Sequence, residues 1–374
     1  MNNQIRSACI FHLISSNGVY GAEKVVLALA EGMKAKRYQV IVANIGQKSN
    51  KETAIVKEAK TKGMEGIAFS CSSRIDSKTI KDIRAYIVNQ KIDIIHSHGY
   101  KSNYFALKAV QGTNTKLVAT CHNWTSNTLK MKLYEYVDKK ILRKFDQVVA
   151  VSNQIYQRLT DSKVPGDKLK LIYNGISIQE SNSLSGSFKE EYHVPPDTKC
   201  IGTIGRLSRE KGQIYLIRAF KQLIDKGSNA VLFIIGEGPQ KEALQQEANK
   251  LNIDNKVIFT GYRADISNIL ASLDVFVLPS LKEGVPMILL EAMLAKKVIV
   301  ATEVGEVPKI LGKNGLLCPA GDTNSLIDSI TKALQMPGNE RAKIGANTYN
   351  TVINKYSQEK MVNEYDKVYR RLIA

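Results

Sequence analysis

The chain has 374 residues, enough for two domains at about 100–200 residues each, and 44% hydrophobic with 24% charged residues excludes a disordered or fibrous polypeptide. No run of about 18 apolar residues occurs, so no spanning helix is expected, and the polar start Met1–Arg6 does not read as a signal peptide. The net charge of +18 is uneven: residues 1–180 carry 28 Lys and Arg against 14 Asp and Glu, a net of +14, while residues 181–374 carry 25 against 21.

In the first half, nearly continuous apolar runs read as strands buried on both faces: Ala8–Ile14, Gln39–Ile45, Ile92–His96, Lys116–His122, Gln147–Val151 and Leu169–Tyr173. Helical periodicity lies between them over Ala22–Ala35, Ser77–Asn89, Lys101–Val110 and Thr128–Phe145. The polar, Ser-rich stretch Ser177–Thr198, with Pro195–Pro196, reads as a linker. The rhythm then restarts, with strands at Cys200–Gly205, Ala230–Ile235, Lys256–Thr260, Val275–Leu278, Lys297–Ala301 and Gly315–Cys318. Its helices are Gly212–Ile224, Lys241–Leu251, Asp265–Ala271, Pro286–Ala295 and Thr323–Leu334. A final helix over Ser357–Leu372 puts Met361, Tyr365, Val368 and Leu372 on one face. Strand–helix alternation of this kind makes two α/β domains, each a doubly wound, Rossmann-like parallel sheet: 1–176, joined by helix 357–374, and 199–356. Such sheets bind ligands beyond the carboxyl ends of their strands, so two facing sheets would share a central cleft.

Two segments of the second half carry chemistry. In Val275–Gly305 a strand ends at Leu278, a loop holds Glu283 and Gly284, and Pro286 suits the first turn of a helix containing Glu291. A helix N-terminus attracts phosphate, and one carboxylate on each side of it can accept hydrogen bonds from hydroxyls. In Ile201–Gly212, Arg206 and Lys211 follow a strand that ends at Gly205, where a guanidinium fork and a point charge can grip a diphosphate.

Together these stretches resemble glycosyltransferase family 4. EGVPMILLEAM is similar to the E-x7-E motif of retaining glycosyltransferases, with Glu283 and Glu291 as its acids, and GRLSREKG to the matching Arg/Lys grip. VLFIIGEGP, FTGYRADI and YNGI follow the same pattern in order along nearly the whole chain. The resemblance implies the GT-B fold, with a nucleotide-diphosphate sugar (UDP before GDP) on the C-terminal domain and a carbohydrate or lipid-linked acceptor on the N-terminal one. It also implies roles. Glu291 would bind the donor ribose and Glu283 the transferred sugar; Arg206 and Lys211 would neutralise the diphosphate; Gly284, Val285, Pro286 and Met287 would line the sugar and phosphate, and Arg263 would lie near the base. In the first half, SSNGVYGAEK resembles the family's glycine loop, with Gly21 retained and Tyr20 in place of the other glycine, and His122 resembles the histidine near the transferred sugar.

Five scattered cysteines without a CxxC pair indicate reduced thiols and a cytoplasmic setting. A zinc site from His96, His98 and Cys121 lacks a fourth ligand at suitable spacing, and the chain has no Asp-x-Asp. No metal and no cofactor are therefore expected. The rival readings are a nucleotide-sugar epimerase on the same fold, which needs further carboxylates, and a nucleic-acid-binding protein, for which no RRM, KH or zinc-finger pattern is present. The expected function is a retaining glycosyltransferase of bacterial surface polysaccharide or glycolipid assembly. The basic faces of Thr128–Phe145 (Lys139, Lys140, Arg143, Lys144) are expected to touch an anionic membrane.

Overall fold

The computed structural model describes residues 7–16, 18–19, 21–46, 52–73, 76–122, 129–178 and 187–374, with only the backbone of 129–131 and 187. The chain divides into one unit of Met1–Ser177 with Tyr356–Ala374, and a second of Ile178–Lys355.

The first unit runs β1 (Cys9–Ile14), α1 (Gly21–Ala35), β2 (Gln39–Gly46), α2 (Ala54–Thr61), β3 (Glu65–Ser70), α3 (Ser77–Asn89), β4 (Ile94–His98), α4 (Tyr100–Ala109), β5 (Lys116–Cys121), α5 (Leu129–Leu142), β6 (Gln147–Ala150), α6 (Asn153–Asp161) and β7 (Leu169–Leu171). Its seven strands lie in the order β3-β2-β1-β4-β5-β6-β7, paired in parallel, so the winding reverses between β1 and β4. The central strands β1, β4 and β6 are buried along their whole length, as the unbroken apolar runs require.

The second unit runs α7 (Ser187–Glu191), β8 (Lys199–Ile204), α8 (Gln213–Asp225), β9 (Ala230–Ile235), α9 (Lys241–Lys250), β10 (Val257–Gly261), α10 (Ile266–Ser272), β11 (Val275–Leu278), α11 (Met287–Leu294), β12 (Val298–Thr302), α12 (Val307–Leu311), β13 (Leu316–Cys318), α13 (Thr323–Gln335) and α14 (Gly338–Lys355). Its sheet, β10-β9-β8-β11-β12-β13, is again parallel and reverses between β8 and β11.

The last helix, α15 (Gln358–Ile373), belongs to the first unit. Ser357 caps it by accepting from the Lys360 N–H, and Ile176 pairs with Ser357 as a short bridge. Its buried face is Met361, Val362, Tyr365, Val368 and Tyr369. Tyr369 is wholly buried where periodicity pointed to Leu372, which is only half-buried.

Three differences from the sequence reading have clear causes. Strand β3 lies at the sheet edge and is only partly buried, so its sequence EGIAFS lacks an apolar run. Helix α14 is polar on most sides and buries only Gly345, Thr348 and Val352, which left it without a readable stripe. The supposed linker Ser177–Thr198 is a linker only in part. Within it α7 forms, Phe188 is buried against Phe233 (centroids 4.9 Å apart), and Tyr192 packs beside both. Phe188 and Tyr192, four residues apart, are an amphipathic signal that the flanking serines obscured. Residues 179–186 of that stretch lie outside those described.

Candidate active site

The reversal point of the second sheet brings together the two segments singled out by sequence. Beyond β8 the chain carries Arg206 and Lys211; beyond β11 it carries the loop 279–286. Lys211 Nζ donates to Glu283 Oε1 at 2.7 Å, and Ser280 Oγ donates to the same oxygen at 2.6 Å. The Glu283 side chain is 7% exposed, so its charge is met by a cation and a hydroxyl rather than by water.

Backbone contacts hold this arrangement. Leu281 N donates to Glu210 O at 2.8 Å, which ties the β11 loop to the turn that carries Lys211. Thr302 Oγ1 donates to Ser280 O at 2.5 Å, and Glu306 N to Gly284 O at 3.3 Å. Gly212 turns into α8 at φ +65, and a Cβ there would lie 2.1 Å from Pro279 O. Gly305, at φ +55, would place a Cβ 2.1 Å from Glu283 O. Both positions require glycine, for conformation and for space.

Loop residues Gly284 and Val285 are half-buried, Pro286 is buried, and Met287 opens α11. The helix therefore starts at the loop that holds Glu283, with its first N–H groups and positive dipole end at the carboxyl end of β11. Glu291 is half-buried on the same helix. Arg206 presents an exposed side chain, while its carbonyl accepts from Gln213 Nε2 at 3.0 Å. Arg263 lies in the turn after β10, where its guanidinium pairs with Asp265 (2.8 Å) and with Glu191 of α7 (2.5 Å). That double pairing raises its own pKa, lowers that of Asp265 to about 2, and ties α7 to the turn after β10.

In the first unit the reversal point carries histidines. Four of the chain's five gather at the carboxyl ends of β1, β4 and β5. His12 Nδ1 and His98 Nε2 are 3.2 Å apart, and His98 Nδ1 and His122 Nε2 3.3 Å, so three rings form a hydrogen-bonded row. His96 is joined to Tyr369 Oη at 2.6 Å and to Thr120 Oγ1 at 2.7 Å, and Thr120 in turn to Tyr365 Oη at 2.7 Å. Burial pushes His12 down to about 3 and His122 to about 4. His96 and His98 fall well below the ordinary histidine range for the same reason, reinforced by neighbouring rings. All four are neutral at pH 7.

Ring nitrogens of His12, His96 and His98 lie within 4.8 Å of one another, a grouping that could hold a metal ion. It differs from the set weighed from sequence, because His12 takes the place of Cys121. Of its nitrogens, only His12 Nε2 is without a hydrogen-bond partner among the described residues. His12 was missed because its signal is the β1–β4 register, which sets His12 beside His96, and register is not written in either strand alone. Ser280, the other omission, is a serine in a loop until the fold aims it at Glu283. Gly21 opens α1 beyond β1; Asn17 and Tyr20 of the same glycine loop lie outside the described residues. All five cysteines are buried free thiols. Among the described residues no helix is long and apolar enough to cross a membrane.

Comparison with known proteins agrees with this layout. Residues 19–180 match the model described as Glycosyltransferase Family 4, and residues 186–351 the model described as Glycosyl transferases group 1. The chain is 25% identical over 288 residues to N-acetyl-alpha-D-glucosaminyl L-malate synthase of Bacillus anthracis, covering 75% of each. It is 24% identical over 314 residues to the UDP-Gal:alpha-D-GlcNAc-diphosphoundecaprenol alpha-1,3-galactosyltransferase of Escherichia coli, covering 80% of each. Its fold matches that of Anabaena Alr3699/HepE in complex with UDP, with TM-score 0.84 and 20% identity over 97% of this chain and 99% of that one. With the two family models falling in turn on the two parallel-sheet units, the chain belongs to the GT-B glycosyltransferases of the family 4 type.

Proposed function

We propose that this enzyme transfers a sugar, with retention, from a nucleotide-diphosphate sugar to an acceptor hydroxyl in surface polysaccharide or glycolipid assembly. The observation that carries the reading is the Lys211–Glu283 pair beside the start of α11, at the reversal point of the second sheet. Solved relatives of the same fold hold UDP and UDP-glucose, which favours a uridine donor. The Escherichia coli relative names a diphosphoundecaprenol-linked acceptor, which favours a lipid-linked one here.

As the glycosidic bond to the diphosphate lengthens, positive charge grows on the sugar and negative charge on the leaving oxygens. Lys211 and Arg206 are the cations for that negative charge, and the first N–H groups of α11 add to it. These groups can support departure without a metal ion. Glu283, held by Lys211 and Ser280, would accept from sugar hydroxyls, and Glu291 from the ribose. His122, at the end of β5, is neutral, and among the described residues its buried Nδ1 has no hydrogen-bond partner, which supports a bond from it to a sugar hydroxyl. Retention would follow from attack on the face the diphosphate leaves, with a phosphate oxygen taking the acceptor proton. Five unpaired thiols support a reducing, cytosolic compartment.

A panel of nucleotide sugars, scored by nucleoside diphosphate release with and without acceptor, tests this. Lys211→Ala and Glu283→Ala should each lower turnover about 10²–10³-fold in folded protein, the usual cost of losing one charge-stabilising group. EDTA should leave turnover intact. Near-normal turnover in the double variant would refute the assignment, as would a donor altered in the absence of acceptor.

A further inference from the structure

We propose that the outward face of α5 docks on an anionic lipid bilayer, inserting Leu133, Tyr136 and Val137 at the headgroup boundary. Single exposed apolar residues are ordinary. Here three large ones share one stripe of one helix, at i, i+3 and i+4: Leu133 is 59% exposed, Tyr136 56% and Val137 42%. Tyr100, 42% exposed at the start of α4, extends the patch through its stacking on Tyr134, with centroids 5.6 Å apart and planes 6° apart.

The charges on the helix and on Arg143 and Lys144, which follow its last residue, are sorted. Lys132, Lys140, Arg143 and Lys144 are exposed, and Lys140 Nζ lies 4.4 Å from the Tyr136 ring centroid. Both acids of the helix are turned inward and are matched there. Glu135 pairs with Arg158 at 2.6 Å and with Lys139 at 2.8 Å, and Asp138 accepts from Asn103 Nδ2 at 2.8 Å. The exposed residues of α5 therefore include no carboxylate, in a half-chain whose net charge is +14. An apolar ridge flanked by cations, with no acid, is complementary to the edge of an anionic bilayer. Such a helix lies in the interface plane with its apolar side chains about 5–10 Å deep.

The structure also changes which residues carry the contact from those expected in the sequence. Lys139 is occupied by Glu135, and the Arg143 guanidinium donates to Ser162 O at 2.8 Å, so among the described residues the outward cations with neither an ion pair nor a carbonyl tie are Lys132, Lys140 and Lys144, with Lys140 resting on Tyr136 of the same face. Leu133 and Val137, absent from the earlier set, supply an apolar anchor that salt does not screen.

The test is co-sedimentation with vesicles of phosphatidylcholine alone and of phosphatidylcholine with phosphatidylglycerol, at low and high salt. Wild type should bind the anionic vesicles and keep part of that binding at high salt. Changing Lys132, Lys140 and Lys144 to Gln should weaken low-salt binding on the order of 100-fold, at about fivefold per cation. Changing Leu133, Tyr136 and Val137 to Ser should weaken binding at least tenfold and remove the salt-resistant part. All six positions are exposed, and unchanged melting curves would exclude misfolding. No binding to anionic vesicles at low salt, or wild-type binding by both variants, would overturn the proposal. So would a wild-type dimer that the Ser variant dissolves, since a second copy would then cover this face. Sedimentation requires neither donor nor acceptor, so the bilayer surface and the sugar-transfer reading stand or fall separately.

Discussion

The histidine row makes the first unit acid-sensitive in a window that few other groups share. His12 is held near pKa 3 and His122 near 4 by burial, against about 6.5 in an unfolded chain. Below about pH 6.5 the unfolded chain takes up protons that these rings refuse, so stability is full above pH 7 and falls as pH drops from 6.5 towards 4. Between pH 7 and 5 each of the two rings costs about 2 kcal/mol, and the pair about 4 kcal/mol. His96 and His98 shift the same way and add to the loss. The groups around the row stay neutral throughout: Tyr365 and Tyr369 are pushed up by burial, and so is the Cys121 thiol. Unfolded carboxylates titrate below about pH 5, and His193 is on the surface of the second unit. Urea unfolding followed by far-ultraviolet circular dichroism across this pH range reads the loss, and comparison with a variant of the row assigns it to the first unit. His12→Gln keeps a donor for His98 but does not titrate, so it should reduce the pH 7-to-5 loss by about 2 kcal/mol. Stability that is flat from pH 7 to 5, or an undiminished loss in His12→Gln, would refute the reasoning.

Tyr369→Phe should cost about 1–3 kcal/mol in the same urea assay, because it strands the buried His96 Nδ1; Tyr365→Phe should cost less, since Thr120 keeps its bond to His96. Phe188→Ala should destabilise the second unit by about 3–5 kcal/mol in thermal melts followed by circular dichroism, where a true linker residue would change it by less than about 0.5 kcal/mol. Gly305→Ala should displace the Glu283 carbonyl and lower turnover at least tenfold, whereas a methyl at Gly284 meets nothing within 4 Å and should leave the melting temperature alone.

Much of this protein is legible along the chain because its central strands are buried on both faces. Runs such as AVLFII, and CIFHLI but for His12, are apolar throughout, so they stand out, and the helices between them carry a single stripe. Local chemistry was readable too: Pro286 before a helix, two cations after a strand, two carboxylates eight residues apart. Tertiary structure decided what depends on register and on partners. That Lys211 meets Glu283 follows from β8 lying beside β11, its partner 74 residues on, and that His12 joins His96 and His98 follows from β1 lying beside β4. It also decided that Arg263 spends its fork on Glu191 and Asp265. Likewise Leu133 and Val137 face outward although they are apolar, because α5 turns its acids inward to Arg158 and Asn103. Periodicity states which residues share a face; only packing determines which face a sheet covers and which charges find partners there.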